Sequence, residues 1–148
     1  VARVIIAGSR SFTDIRYVKL AVKLTLERHP GLSITEVVSG KARGADTLGE
    51  WWAKKNSIPV KEMPAPWDDL TRPGAKIRTN AWGKKYNANA GFERNRDMAK
   101  YAADDPYGQG GLIALWDGES NGTLDMIEHA KAYNLWVEMF TKRLKAPE

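Results

Sequence analysis

The sequence has no cysteine and only two histidines, His29 and His129. The missing thiols exclude disulfides, thiol nucleophiles and cysteine metal sites, and they fit a reducing cytosol, the expected location. Two histidines far apart in the chain argue against a histidine-built zinc centre, so no metal site is expected. No apolar run approaches the roughly 20 residues that a membrane-spanning helix needs. The opening VARVIIAGS lacks the long apolar core of a signal peptide and reads as a buried strand, so no membrane partner is expected. Negative charge is in deficit: 23 lysines and arginines stand against 18 acidic residues, a net charge of +5. That balance points towards anionic partners. Two phosphate-binding signatures are also absent. No G-x-x-x-x-G-K-[ST] occurs, which disfavours an ordinary P-loop NTPase, and no G-x-G-x-x-G follows the first strand, which disfavours a standard dinucleotide dehydrogenase.

What is present is alternation. VARVIIAG is a β-branched run ending in glycine, and ITEVVSG, IPVKEM, GLIALW and LWVEMF read as further strands. Pro59 makes the third of these an edge strand. Between them, Ile15, Val18, Val22 and Leu26 share one helical face, with Thr13 or Asp14 as N-cap. Ala45, Leu48, Trp52 and Ala53 form the next stripe; then come Phe92, Met98 and Tyr101 or Ala102, and finally Thr123, Ile127 and Ala130. This order predicts a three-layer, Rossmann-like α/β domain with a mainly parallel five-stranded sheet, occupying residues 1–148 as a single unit. One stretch breaks the rhythm. Residues 64–90 form a long basic loop with Arg72, Lys76, Arg78, Lys84 and Lys85. Loops beyond about 12–15 residues tend to be lids, binding loops or disordered.

In open α/β sheets, ligands bind outside the carboxyl ends of the strands. Three turns lie at such ends: AGSRSFTD, SGKARGAD and WDGESNGT. Each carries glycine with hydroxyl or charged residues and opens into a helix, whose unpaired N–H groups and partial positive charge attract anions. Gly8, Gly40, Gly44, Gly118 and Gly122 permit close backbone approach. Ser9, Ser39, Ser120 and Thr123 offer hydroxyls, and Arg10, Lys41 and Arg43 offer cations. Asp46 is placed to cap its helix or to meet a ribose. Asp117 is placed for ribose hydroxyls or an Asx turn. Trp51 and Trp52 are neighbours and cannot both bury on one helix face. Trp67 and Trp82 lie in the long loop, where they either anchor it or stack on a base.

Four segments, RVIIAGSRSFTD, VVSGKARGADTLGEWWAKK, GFERNRDM and ALWDGESNGTLDMIEHAKAYN, together resemble the YspA-like, YpsA-related branch of the SLOG superfamily. The resemblance implies a Rossmann-like fold and binding of nucleotides or nucleotide-derived ligands such as ADP-ribose derivatives. It extends to the LOG-type phosphoribohydrolases, which cleave N-glycosidic bonds, and to the DNA-processing relative DprA. By that likeness Arg94 stands where the LOG arginine stands, Asn95 replaces a lysine, and Met126 occupies the position of the catalytic glutamate. A carboxylate is needed to assist N-glycoside hydrolysis; Asp46, Asp117 or Asp125 would have to substitute, so Arg94, Asp46 and Asp117 are the catalytic candidates if there is catalysis. Lys41 stands where the family usually has a second glycine, and offers an ammonium that could reach a phosphate.

The expectation is therefore binding of a nucleotide or ADP-ribose-like ligand at the carboxyl edge, as a sensor or sponge. The alternatives are a hydrolase of an N-glycosidic or phosphate bond and, further off, a single-stranded nucleic-acid binder. No cofactor is firmly implied, although a phosphorylated ligand could bring Mg²⁺ with it, and a homo-oligomer is expected.

Overall fold

The computed structural model describes residues 2–42, 44–106 and 108–142. Strand β1 (Ala2–Gly8) leads into helix α1 (Ile15–Arg28), then β2 (Ile34–Ser39), α2 (Ala45–Lys55) and the short β3 (Val60–Glu62). After the irregular segment come α3 (Ala90–Ala103), β6 (Gly111–Leu115), α4 (Asn121–Ala132) and β7 (Trp136–Phe140). The five long-range strands form one sheet in the order β3-β2-β1-β6-β7, with every neighbouring pair parallel. This is the expected Rossmann-like α/β domain, and β3 is an edge strand that begins directly after Pro59.

Alternation along each strand builds two cores. Val4, Ile6, Val37, Ile113 and Leu115 point to one face and pack with Val18, Val22 and Leu48 of α1 and α2. Ile5, Val38, Leu112 and Ala114 point to the other and pack with Met98, Ala102, Met126 and Ile127 of α3 and α4. The strands under two helix layers are therefore mainly apolar, and β6 is apolar and buried throughout. Because β2 and β3 run outward from β1 on one side, and β6 and β7 on the other, strand order reverses between β1 and β6. That reversal opens a crevice at the carboxyl ends of these two strands.

Local signals explain the helix starts. Asp14, one of the two expected caps, accepts from the Arg16 N–H at 2.9 Å. Ser120 caps α4 by accepting from the Thr123 N–H. Two helical stripes are narrower than their spacing suggested: Ile15 and Leu26 sit at the rim of α1 and are exposed, as is Phe92 on α3. Trp51 and Trp52 are both half-buried, in a groove shared with α1. Trp116 is half-buried against the second core.

The long basic segment is more ordered than a plain loop. It contains a two-stranded antiparallel hairpin, β4 (Ile77–Thr79) with β5 (Lys85–Asn87). Asn80 closes its turn by accepting from the Trp82 and Lys84 N–H groups. The segment is clamped to α3. Arg72 reaches Glu93 at 3.2 Å and Asp97 at 3.0 Å, and the Asn87 amide donates to Glu93 at 3.1 Å. Among the described residues no helix is long and apolar enough to cross a membrane.

Candidate functional site

A cavity of about 530 Å³ opens at the β1–β6 crevice. Its walls come from four places in the chain. Gly8, Arg10 and Ser11 arrive from the end of β1, and Ala42 and Asp46 from the turn into α2. Arg94, Asn95 and Met98 come from α3, and Asp117, Ser120, Gly122, Thr123 and Met126 from the turn into α4. A second cavity of about 510 Å³ shares Arg10, Ala42 and Arg94 with the first and adds Gly40, Lys41, Pro64, Ala65 and Trp67.

Ser9, almost wholly buried, stitches this edge together. Its N–H donates to the Leu115 carbonyl at 2.8 Å, its carbonyl accepts from the Phe12 and Ala45 N–H groups, and its hydroxyl accepts from the Asp117 N–H at 3.0 Å. Ser9 thus positions the site without lining it. Ser39 does likewise on the next strand: its hydroxyl donates to Glu50 at 3.0 Å and accepts from the Lys41 N–H. The turn between them needs two glycines for different reasons. Gly44 has φ +78°, a conformation that side-chain-bearing residues rarely adopt. Gly40 makes room for Arg94: a Cβ there would lie 2.7 Å from Arg94 Nη1.

Arg94 is the half-buried cation of the wall. Its Nη1 donates to the Gly40 carbonyl at 2.7 Å and its Nε to the Asn95 side chain at 3.1 Å, tying α3 to the β2–α2 turn. Arg96, two residues on, is exposed. Asn95 donates in turn to the Gly122 carbonyl at 3.2 Å and to Asp125 at 3.0 Å, which fixes the mouth of α4. Arg10 is the opposite case: it is exposed, and among the described residues its guanidinium has no hydrogen bond or ion pair. A cation without a protein partner on a cavity wall is free to meet an anion.

Asp46 does not cap α2. The N-cap is Gly44, with no side-chain hydrogen bond, and Asp46 lies within the first turn. Its carboxylate accepts instead from the Ala42 N–H at 3.3 Å, holding the preceding turn against the helix. Burial raises its pKa to about 6, against the lowering pull of Arg94 and of the Ala42 and Gly40 N–H groups. An acid whose folded pKa lies above its unfolded value carries a penalty that is absent below the unfolded pKa, near 3.8, and complete above about pH 6. Asp46→Asn is therefore expected to be more stable than the parent at pH 7.5 by roughly 3 kcal/mol or less. The gap should close as pH falls towards 4. Urea melts at both pH values test this, and equal gaps at the two would contradict it.

Asp117 forms the Asx turn: its Oδ1 accepts from the Glu119 and Ser120 N–H groups at 2.9 and 2.8 Å, which lowers its pKa. Gly118, at φ +85°, completes that turn but does not line the cavity. Lys41 turns away from the role its charge suggested. Its ammonium pairs with Glu50 at 2.8 Å and Glu62 at 3.3 Å, and its backbone adopts φ 59°, the conformation a glycine takes without strain. Arg43 lies outside the described residues. His129 pairs with Asp125 at 3.3 Å on α4. Of the wall residues, Ala7, Ser11, Ala42, Asn95, Met98 and Met126 are not among the ligand contacts expected from the sequence. Asn95 was signalled only by its place beside Arg94.

Residues 2–69 match the model of the YspA, cpYpsA-related SLOG family. Over that stretch the chain is similar to the SLOG superfamily. The matched stretch runs from β1 through β3 and ends inside the basic segment, so it holds two of the three turns that build the cavity. This partial match and the Rossmann-like sheet support a nucleotide-binding role in general. No curated protein matches the chain.

Proposed function

We propose that this domain binds a nucleotide-derived ligand of the ADP-ribose type across the β1–β6 crevice and retains it, as a sensor or sponge. The observation that carries this reading is the joint wall of one cavity. Arg10, which has no partner among the described residues, the Arg94 guanidinium and the N-terminal turn of α4 all border the same space. Each is a donor to phosphate: the two guanidinium groups through paired N–H bonds, the helix end through its free N–H groups and dipole. A Cβ at Gly122 would meet nothing within 4 Å, so an approaching phosphate has a clear path to that turn.

Retention rather than turnover is favoured by the carboxylates. Met126 lines the cavity where LOG-type relatives place their glutamate, and a thioether cannot activate water. The Asp117 carboxylate is engaged by two backbone N–H groups.

One observation supports hydrolysis as the second reading. Asp46 is a buried cavity-wall carboxylate whose pKa of about 6 suits proton transfer near neutrality.

The test is a thermal-shift and calorimetry panel of adenine and guanine nucleotides and ADP-ribose, followed by mass spectrometry of the incubated ligand. A stabilising ligand recovered intact supports retention; conversion that Asp46→Asn abolishes supports hydrolysis. Arg10→Ala is expected to weaken binding by about 10- to 100-fold. The melting temperature of its ligand-free form should match the parent, because Arg10 supports nothing else in the fold. Unchanged affinity in this variant would remove Arg10 from the site.

A further inference from the structure

The second cavity differs in chemistry from the first. Its floor is the β2–α2 turn and its shared wall is Arg10 and Arg94, but its outer wall is Trp67, carried by the basic segment. Trp67 is held at both backbone ends: its N–H donates to the Ala65 carbonyl at 2.9 Å, and its carbonyl accepts from the Asn87 N–H of β5 at 2.7 Å. Its ring edge rests on the first turn of α3. A Cβ at Gly91 would sit 3.5 Å from Trp67 Cη2 and 3.9 Å from Arg94 Nη2. The indole is therefore positioned beside the guanidinium that joins the two cavities, yet 46% of Trp67 remains exposed. Among the described residues no carboxylate lines this second space. An anchored, half-open indole next to two cations suits a planar ring whose own phosphate lies at those cations.

We infer that Trp67 forms a base-stacking subsite, so that the ligand is a phosphorylated sugar bearing a nucleobase: its phosphate lies at Arg10 and Arg94 and its base on the indole. This rests on the nucleotide reading of the first cavity and adds the determinant by which the domain distinguishes a nucleotide from a bare sugar phosphate. It also gives the basic segment a function: Arg72, bridging Glu93 and Asp97, and Asn87, bonded to Glu93, hold the stacking residue against α3.

The probes are ribose 5-phosphate, AMP and ADP, titrated calorimetrically into the parent, Trp67→Ala and Trp67→Phe, with melting temperatures recorded for each. Ribose 5-phosphate and AMP differ only in the base. In the parent, AMP or ADP is expected to bind at least about tenfold more tightly than ribose 5-phosphate. Trp67→Ala should remove that advantage and leave ribose 5-phosphate unchanged, whereas Trp67→Phe, which keeps a ring, should restore most of it. If the three probes bind the parent equally, or if Trp67→Ala weakens all three alike, the stacking subsite is overturned while the anion cavity stands. If none of them binds the parent, the nucleotide reading fails, and the subsite with it.

Discussion

Replacing Gly44 by alanine is expected to lower the melting temperature by about 10 °C and to abolish ligand binding at any attainable concentration. Two independent penalties combine. The residue sits at φ +78° and ψ −122°, a region that costs a side-chain-bearing residue of the order of 1–3 kcal/mol. The added methyl carbon would also lie 2.5 Å from the Ser9 carbonyl oxygen and 2.6 Å from Arg10 Cα, both backbone atoms with little room to retreat. A total of about 3 kcal/mol or more follows, which in a domain of this size is a shift of about 10 °C. The functional loss comes from the same displacement. Relieving the clash moves the Ser9–Arg10 backbone, which carries the unpartnered guanidinium, and breaks the bond from the Ala45 N–H to the Ser9 carbonyl. Circular dichroism melts and calorimetry on the same preparation check both halves. A variant with parental stability would show that the turn relaxes freely and that this account of its tightness is wrong.

Arg94→Ala is expected to reduce nucleotide affinity by at least about a hundredfold, since the wall loses a cation able to make two charge-assisted hydrogen bonds. The effect should also appear in the pH dependence. Arg94 is the principal opposite charge acting on Asp46, so its removal pushes the Asp46 pKa further above about 6. Arg94→Lys should recover the charge but not the fork. A single ammonium has to choose between the Gly40 carbonyl and the ligand, so affinity should fall between parent and alanine variant. Calorimetry at pH 6 and 8 on the three proteins separates these outcomes. Parental affinity in Arg94→Ala would mean that the crevice holds its ligand through Arg10 and the α4 turn without Arg94.

The sheet was legible because its residues answer to one simple demand. Strands covered on both faces are mainly apolar, and VARVIIAG, ITEVVSG and GLIALW are short runs dominated by β-branched or aliphatic residues that end at glycine or a polar turn. The three glycine-bearing turns of the carboxyl edge followed from the same order, because parallel strands joined by helices put every such turn on one edge.

What was not legible depends on partners brought in by folding. Lys41 reads as a free ammonium until α2 and β3 deliver Glu50 and Glu62 beside it. Phe92 has the spacing of a core position but is exposed, whereas Ala90, Glu93 and Asn95 are buried at that end of the helix. The start of α3 faces the basic segment and the cavity instead of the sheet, so its inner side is polar and apolar periodicity misreads it. The β4–β5 hairpin escaped notice because its strands have three residues each and carry mostly charged or polar side chains.

The neighbours Glu93 and Arg94 give α3 a double allegiance. One side chain grips the hairpin-bearing segment through Arg72 and Asn87, and the next reaches across to the glycine turn after β2. Adjacent residues on one rigid rod cannot shift independently. A pull on the outer ribbon would therefore arrive at the guanidinium as a small rotation of the helix, and exchanging that ribbon for another would retune the receptacle while leaving the sheet beneath it untouched.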